Sequence, residues 1–129
     1  MDQPTGPTPF QLLGGEPGVR ALVDRFYDHM EALPEAATIR AMHPQNLQSS
    51  RDKLYLFLVG RFGGPQLYIE RYGHPRLRAR HLPFPVDTAA AEAWMRCMDL
   101  ALNEQVPEPA FRAVLREFFA TTADFMRNR

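Results

Sequence analysis

The clearest apolar periodicity in the chain lies in Val19-Arg20-Ala21-Leu22-Val23-Asp24-Arg25-Phe26-Tyr27-Asp28-His29-Met30. Its apolar residues recur at i, i+3, i+4 and i+7, the spacing that places side chains on one face of an α-helix. We therefore expect a helix that begins near Pro17-Gly18, ends before Pro34 and buries this face. The residues of this apolar stripe are Val19, Leu22, Val23, Phe26, Tyr27 and Met30.

Helical patterns separated by turn residues continue on both sides of this stretch. A short helix capped by Thr8 and ended by Gly14-Gly15 is expected before it. After it, helices are expected over 35–42, 47–62, 66–72, 87–105 with Asp87 as the cap, and from Pro109 onward. The last helix is expected to bury one broad face formed by Phe111, Val114, Leu115, Phe118, Phe119, Thr122, Phe125 and Met126. No alternating strand pattern persists, so the sequence predicts an all-α fold.

Length and composition favour one compact unit. The chain has 129 residues, of which 45% are hydrophobic, enough for one core. We expect a flexible tail over residues 1–7 and a single domain over residues 8–129. Fifteen basic residues balance fifteen acidic ones, which argues against broad binding to nucleic acid or to an acidic membrane.

The sequence also bears on location. The start of the chain is polar and proline-rich without an apolar run, so it does not resemble a signal peptide. No stretch approaches the ~20 apolar residues of a membrane span. A single cysteine, Cys97, excludes an intrachain disulfide and is expected to be a small buried hydrophobe. A cytoplasmic protein is the simplest expectation.

One histidine stands in an unusual setting. His81 ends the basic segment Leu77-Arg78-Ala79-Arg80-His81 and is followed by Leu82-Pro83-Phe84. Because proline cannot continue a helix, the histidine is expected near a helix end with apolar neighbours beside it. A fixed neutral imidazole beside an apolar surface suits the iron of a haem. A helix-end histidine that stabilises exposed carbonyls is the alternative interpretation.

Three further side chains are candidates for the same pocket. Tyr27 brings a hydroxyl into an otherwise apolar stripe, and Trp94, the only tryptophan, lies on the inner face of the helix over 87–105. His43 precedes Pro44 and is expected to form either a pocket wall or part of a loop. A core tyrosine bonded to a backbone carbonyl and a tryptophan that only fills volume are the alternatives.

The remaining polar residues give weaker signals. The alternating Arg76, Arg78 and Arg80 form either a solvated face or a clamp for carboxylates or phosphates. His29 lies off the apolar stripe and is expected to face solvent, whereas His74 is expected to shape a turn. No Cys-x-x-Cys, His-x-x-x-His or Glu-x-x-His spacing occurs, so the signatures of zinc and di-iron sites are missing.

Together these residues resemble the second group of the truncated haemoglobins, over the chain from about Phe10 to Phe125. The agreeing stretches are Gly14-Gly15, Arg25-Phe26-Tyr27, Phe62-Gly63-Gly64-Pro65, Gly73-His74-Pro75-Arg76-Leu77-Arg78, Arg80-His81, Pro83-Phe84, Ala93-Trp94 and Arg96-Cys97-Met98. The resemblance implies an all-α two-over-two helical sandwich around a b-type haem.

The resemblance also implies roles for single residues. His81 is similar to the proximal iron ligand, Tyr27 to the distal tyrosine, and Trp94 to the tryptophan that closes the distal pocket. His43 takes a position that is usually held by a tyrosine or phenylalanine. Positions implied to face the diatomic ligand are Ser50 and Leu54. Positions implied to contact the haem are Lys53, Phe57, Tyr68, Arg78, Arg80 and Phe84.

The function implied is binding of dioxygen, carbon monoxide or nitric oxide at a pentacoordinate haem iron. Tyr27 and Trp94, with His43 as a third candidate, would donate hydrogen bonds worth ~1–2 kcal/mol each, so we expect tight oxygen binding with slow release. A haem enzyme that consumes nitric oxide or peroxide with a reductase partner is a second interpretation. A haem-free helical interaction module is a third, and the chain is expected to be a monomer or a homodimer.

Overall fold

The computed structural model describes residues 6–129, and in that range the chain forms helices and connecting loops without a strand. The helices are α1 (Pro9–Leu12), α2 (Gly15–Ala32), a 3₁₀ turn (Pro34–Ala36), α3 (Ala37–Ala41), α4 (Gln48–Arg61), α5 (Leu67–Tyr72), α6 (Leu77–His81), α7 (Thr88–Gln105) and α8 (Pro109–Met126). The all-α prediction is confirmed. The tail predicted over residues 1–7 falls mostly on residues 1–5, which lie outside the described residues.

Four long helices form the frame of the molecule. Helix α2 packs against α4 on one side and against α7 on the other, and α7 in turn packs against α8. The two helices α2 and α4 therefore lie over the two helices α7 and α8, as the two-over-two prediction requires. Within residues 6–129, no helix combines the length and the apolar character that crossing a lipid bilayer demands.

The apolar stripe of α2 forms the centre of the core. All six of its predicted residues are buried: Val19, Leu22, Val23, Phe26, Tyr27 and Met30. Helix α2 begins at Gly15, two residues before the predicted start near Pro17-Gly18. Proline is accepted in a first helical turn, where the N–H that it lacks would have no intrahelical partner. The apolar stripe therefore predicts which face of α2 is buried, but it does not predict the residue at which the helix begins.

The junction between α1 and α2 depends on a close backbone approach. A Cβ atom added to Gly18 would lie 1.7 Å from the carbonyl oxygen of Leu13, so no larger residue fits without a backbone shift. Thr8 caps α1 as predicted, since its side chain accepts a hydrogen bond from the amide of Gln11. The amide of Phe10 also donates to the carbonyl of Phe62 at 2.9 Å, which joins α1 to the end of α4.

The broad apolar face predicted for α8 is only partly correct. Leu115 and Phe119 are buried against α7, but Val114 and Phe125 are 61% and 58% exposed. Successive helical residues project about 100° apart, so Val114 points away from the face that Leu115 presents to the core. The prediction failed here because the apolar residues of α8 span a wider face than the one that packs on α7. Val114 and Phe125, at the edges of that face, are therefore exposed to solvent.

The segment between α5 and α7 is the least buried part of the fold. Helix α6 has no buried residue. The residue that precedes it, Arg76, adopts a left-handed backbone conformation with φ of 48°. The Arg76 amide donates to Nδ1 of His74 at 3.1 Å, so His74 shapes this turn as predicted. At the far end, Asp87 caps α7 as predicted by accepting from the amide of Ala90 at 2.8 Å.

Candidate functional site

His81 is the last residue of α6, and its imidazole is already oriented. The Nδ1–H donates to the carbonyl oxygen of Leu77 at 2.6 Å, one helical turn back. In a neutral imidazole the other nitrogen, Nε2, then carries the lone pair. A bond of this kind is what holds a metal-ligating histidine in one tautomer and one ring orientation. His81 thus presents a ligand atom rather than a proton.

Tyr27 and Phe26 of α2 and Trp94 of α7 form a row of aromatic rings, which we call the pocket wall. The ring centroid of Phe26 lies 4.9 Å from that of Tyr27 and 4.9 Å from that of Trp94. Phe26 therefore separates the two polar aromatic residues and fixes their spacing. Within residues 6–129 neither the Tyr27 hydroxyl nor the Trp94 indole N–H has a hydrogen-bond partner. Two donors are therefore left for a ligand.

Burial keeps the Tyr27 hydroxyl protonated. The side chain is only 6% exposed, and burial raises its pKa well above that of a free phenol. The Arg51 guanidinium, 5.8 Å from the centre of the Tyr27 ring, opposes that rise only in part. The group is therefore a hydrogen-bond donor at neutral pH.

His43 stands beside Tyr27 but is arranged as an acceptor. Their ring centroids are 5.9 Å apart, and Nδ1 of His43 donates to the carbonyl of Ile39 at 2.8 Å. Burial lowers the pKa of His43, and the nearby charge of Arg40 acts in the same direction. Neutral His43 therefore has its lone pair on Nε2. The expectation that His43 is a third donor does not fit this geometry at neutral pH.

The predicted residues of α4 share one face of that helix. Ser50, Leu54 and Phe57 stand at i, i+4 and i+7, and all three are half-buried. The Phe57 ring meets the buried Tyr68 of α5 edge to face, with centroids 6.3 Å apart. Lys53, on the same side of α4, is exposed. This face supplies a largely apolar surface with one cation at its edge.

The cationic and apolar residues around α6 are exposed. Arg78 and Arg80 lie on its surface, and Nε of Arg80 donates to the carbonyl of Pro75 at 2.7 Å. Among residues 6–129, neither guanidinium forms an ion pair. Leu82 and Phe84 follow His81 and are 56% and 39% exposed. The structure does not bring these arginines into a closed clamp with Lys53, whose ammonium instead lies 5.8 Å from the Tyr72 ring centroid.

Sequence reasoning missed Arg51, which joins α4 to α2 behind Tyr27. Its Nη1 donates to the backbone carbonyl and the carboxylate of Asp24 at 3.0 and 3.1 Å, and its Nη2 donates to Asp28 at 2.8 Å. Asp24 and Asp28 are one helical turn apart on α2, a spacing that indicates a paired acceptor on one helix face. Because Arg51 follows Ser50 directly, this link sets the position of the predicted distal residues on α4.

The prediction that His29 faces solvent is wrong. Its Nε2 lies 2.6 Å from a carboxylate oxygen of Glu104, and its side chain is only 17% exposed. Arg25 donates to the same carboxylate at 2.8 Å, and Arg25 and His29 together lower the pKa of Glu104 to about 2. The last turn of α7 crosses α2 at this point. The face of α2 that carries Arg25 and His29 therefore contacts the end of α7, where the sequence pattern had predicted exposure to solvent.

The donor set fits a haem. His81 offers a free Nε2, the α4 face offers an apolar surface, and the aromatic rings of α2 and α7 offer hydroxyl and indole donors. The partly exposed Leu82 and Phe84 give a flat cofactor further apolar contacts, and the cations at the rim suit carboxylate side groups. A metal ion bound only by protein side chains would need more ligands than one imidazole.

Comparison with known proteins gives a consistent result. Residues 8–128 match the bacterial-like globin family. The group 2 truncated haemoglobin YjbI of Bacillus subtilis is 37% identical over 121 residues, which cover 94% of this chain and 89% of that protein. The cold-adapted truncated haemoglobin of the Antarctic marine bacterium Pseudoalteromonas haloplanktis TAC125 superposes with a TM-score of 0.93 at 40% identity, covering 95% of this chain and 99% of that one. The truncated oxygen-avid haemoglobin of Bacillus subtilis superposes with a TM-score of 0.85 at 37% identity, covering 95% and 100%.

Proposed function

The chain belongs to the bacterial-like globin family as a group II truncated haemoglobin, and on that premise we propose that it binds dioxygen tightly at a haem held by His81. One observation carries the proposal. A histidine with a satisfied Nδ1 and a free Nε2 accompanies a pocket wall that holds two unpaired donors, Tyr27 and Trp94. Membership of a globin family implies the haem, and carbon monoxide and nitric oxide are expected to bind at the same place.

The residues that would hold the haem fall into three groups. His81 provides the iron ligand through Nε2, and Phe57, Tyr68 and Phe84 provide apolar contacts. Lys53, Arg78 and Arg80 are the cations available to the propionate groups. When bound, the haem supplies an iron atom at which a diatomic ligand is held.

The distal side chains account for tight oxygen binding. Dioxygen bound at a haem iron would draw electron density from the iron and carry partial negative charge, which the Tyr27 O–H and the Trp94 N–H would stabilise by donating hydrogen bonds. Each bond is worth ~1–2 kcal/mol, and ~1.4 kcal/mol corresponds to a tenfold change in affinity. The description of the Bacillus subtilis relative as oxygen-avid supports the same behaviour here.

The haem assignment is tested by absorption spectroscopy of protein supplied with haemin, reduced and exposed to carbon monoxide. The wild type is expected to give a sharp, stoichiometric band that is lost or shifted in His81→Ala. His74→Asn is the matched control, since it changes a histidine of the same segment but keeps an acceptor for the Arg76 amide. An equal band in wild type and His81→Ala would remove His81 from the iron, and no specific band in the wild type would refute haem binding.

The distal donors are tested by the rate of oxygen release. Tyr27→Phe and Trp94→Phe are each expected to speed release by about tenfold, since each removes one hydrogen bond and keeps an aromatic ring at the position. Tyr55→Phe is the matched control, because that tyrosine stacks under Arg20 at 4.1 Å, away from the pocket wall. A release rate in the Tyr27→Phe, Trp94→Phe double variant equal to that of the wild type would contradict tight binding by these donors.

A further inference from the structure

The last residues of the chain return to the segment that carries His81. After α8 ends at Met126, the side chain of Asn128 donates from Nδ2 to the carbonyl of His81 at 3.2 Å and to that of Phe84 at 2.9 Å. Its Oδ1 accepts from the amide of Val86 at 3.0 Å. The backbone amide of Asn128 also donates to the Val86 carbonyl at 2.9 Å. One residue thus makes four hydrogen bonds to residues 81–86.

The segment has few other means of being held. Pro83 and Pro85 lack amide protons, so residues 82–86 cannot continue α6. Helix α6 buries none of its side chains, and Leu82 and Phe84 lie largely in solvent. In the described part of the chain, all hydrogen bonds that join residues 77–86 to residues outside 75–86 end on Asn128. Helix α6 also packs on α8, and Val86 packs against the core, but the directional bonds that fix the segment come from Asn128.

Two bonds on one residue determine where the His81 imidazole stands. The Nδ1 bond to Leu77 sets the rotation of the ring, whereas the Asn128 bond to the His81 carbonyl fixes the backbone from which the ring projects. Resting on the proposed haem function, we propose that Asn128 is a positioning residue for the proximal histidine. It anchors the end of α6 and so fixes the position from which Nε2 would bind the iron.

Two substitutions separate the parts of this contact. Asn128→Asp keeps an oxygen for the Val86 amide but replaces the donor nitrogen with an acceptor, so both bonds to the carbonyls of His81 and Phe84 are lost. Asn128→Ala removes the whole side chain and leaves the backbone bond. Asn103→Asp is the matched control, because it makes the same chemical change at an exposed position on α7.

The readout is the iron–histidine stretching band of the reduced holoprotein, measured by resonance Raman spectroscopy. We expect the band to broaden and move to lower frequency in Asn128→Asp and Asn128→Ala and to stay unchanged in Asn103→Asp. Haem transfer to an acceptor apoglobin should become about tenfold faster in both Asn128 variants, which corresponds to ~1.4 kcal/mol. The vibrational band reports the histidine bond itself, so a general loss of stability would not reproduce this pattern.

Two unfavourable outcomes have different meanings. An iron–histidine band unchanged in both Asn128 variants, in protein that still forms the carbon monoxide band, would overturn the role of Asn128 and leave the proposed function intact. Absence of any carbon monoxide band in the wild type would overturn the proposed function, and the role of Asn128 with it.

Discussion

On the proposed distal side of the site, Tyr27 lies on an 18-residue helix whose six stripe residues are all buried, whereas on the proposed proximal side His81 ends a five-residue helix without a buried residue. The distal wall is continuous with the core, since Phe26 touches both Tyr27 and Trp94 and is itself fully buried. The proximal segment has exposed apolar side chains and hydrogen bonds to a single amide.

The two sides therefore depend on different kinds of interaction. Burial of apolar side chains contributes most of the folding free energy, but it is not directional and it involves many residues at once. Hydrogen bonds contribute about 1 kcal/mol each and fix direction. We therefore expect changes behind the distal wall to alter the stability of the whole fold. Changes on the proximal side should alter the haem bond while leaving global stability nearly unchanged.

The sharpest contrast is expected between Phe26→Ala and Leu82→Ala. Phe26 has no exposed surface and contacts two aromatic rings of the pocket wall, so its truncation should lower the free energy of unfolding by about 3–5 kcal/mol. Leu82 is 56% exposed, and its truncation should change that free energy by less than about 0.5 kcal/mol. Urea denaturation of both proteins measures the difference. Equal losses would show that the proximal segment is part of the same cooperative core.

A smaller effect is expected from Arg51→Met, which removes the link between α4 and α2. The bonds to Asp24 and Asp28 are lost, but both carboxylates are 43% exposed and become hydrated, so we expect a loss of about 1–2 kcal/mol. Oxygen kinetics should change as well, because Arg51 adjoins Ser50 and lies over the Tyr27 ring.

Arg116→Met provides the control for this substitution. It removes a comparable ion pair with Asp99, but from a side chain that is 56% exposed and lies on α8. A loss of at most about 1 kcal/mol is expected there, with unchanged oxygen kinetics. If Arg51→Met also left the kinetics unchanged, the Arg51 link would support the fold without positioning the distal pocket.

The parts of the molecule that could be predicted from the sequence are those with a local signal. The α2 stripe, the Thr8 and Asp87 caps and the turn at His74 each depend on residues within one or two helical turns of one another. The type and spacing of those residues are therefore sufficient evidence. The assignment of single pocket residues rested instead on resemblance to a family, because periodicity places a residue on a face without stating what lies opposite.

The features that could not be predicted join distant parts of the chain. His29 meets Glu104 across 75 residues, and Asn128 meets His81 across 47. Neither partner carries a sequence signal, since exposed glutamates and terminal asparagines are ordinary surface residues. The close approach of Gly18 to Leu13 is also invisible in the sequence, because a glycine near a proline equally indicates a helix start. These contacts follow from the packing of the helices and not from the pattern of any one of them.

The finest test of the distal side concerns the proton on His43. Burial keeps the pKa of His43 below the value of about 6.5 for a free imidazole, so most of the rings are neutral from pH 8 down to about 7. In this state Nδ1 donates to Ile39, and Nε2 can only accept. The rate of oxygen release is therefore expected to change little from pH 8 to about 7.

Below that range the sign of the change is fixed by the geometry. Protonation turns Nε2 of His43 from an acceptor into a donor, which can stabilise negative charge on dioxygen. Oxygen release should therefore slow as the pH falls, by up to about tenfold for one added hydrogen bond of ~1.4 kcal/mol. His43→Phe should give a flat profile over the same range, whereas Tyr27→Phe should keep the pH dependence at a faster overall rate. A midpoint well above pH 6.5 in the wild type would mean that the pocket stabilises the imidazolium. His43 would then be a donor at neutral pH. The distal side would in that case be more polar than the packing around Tyr27 indicates.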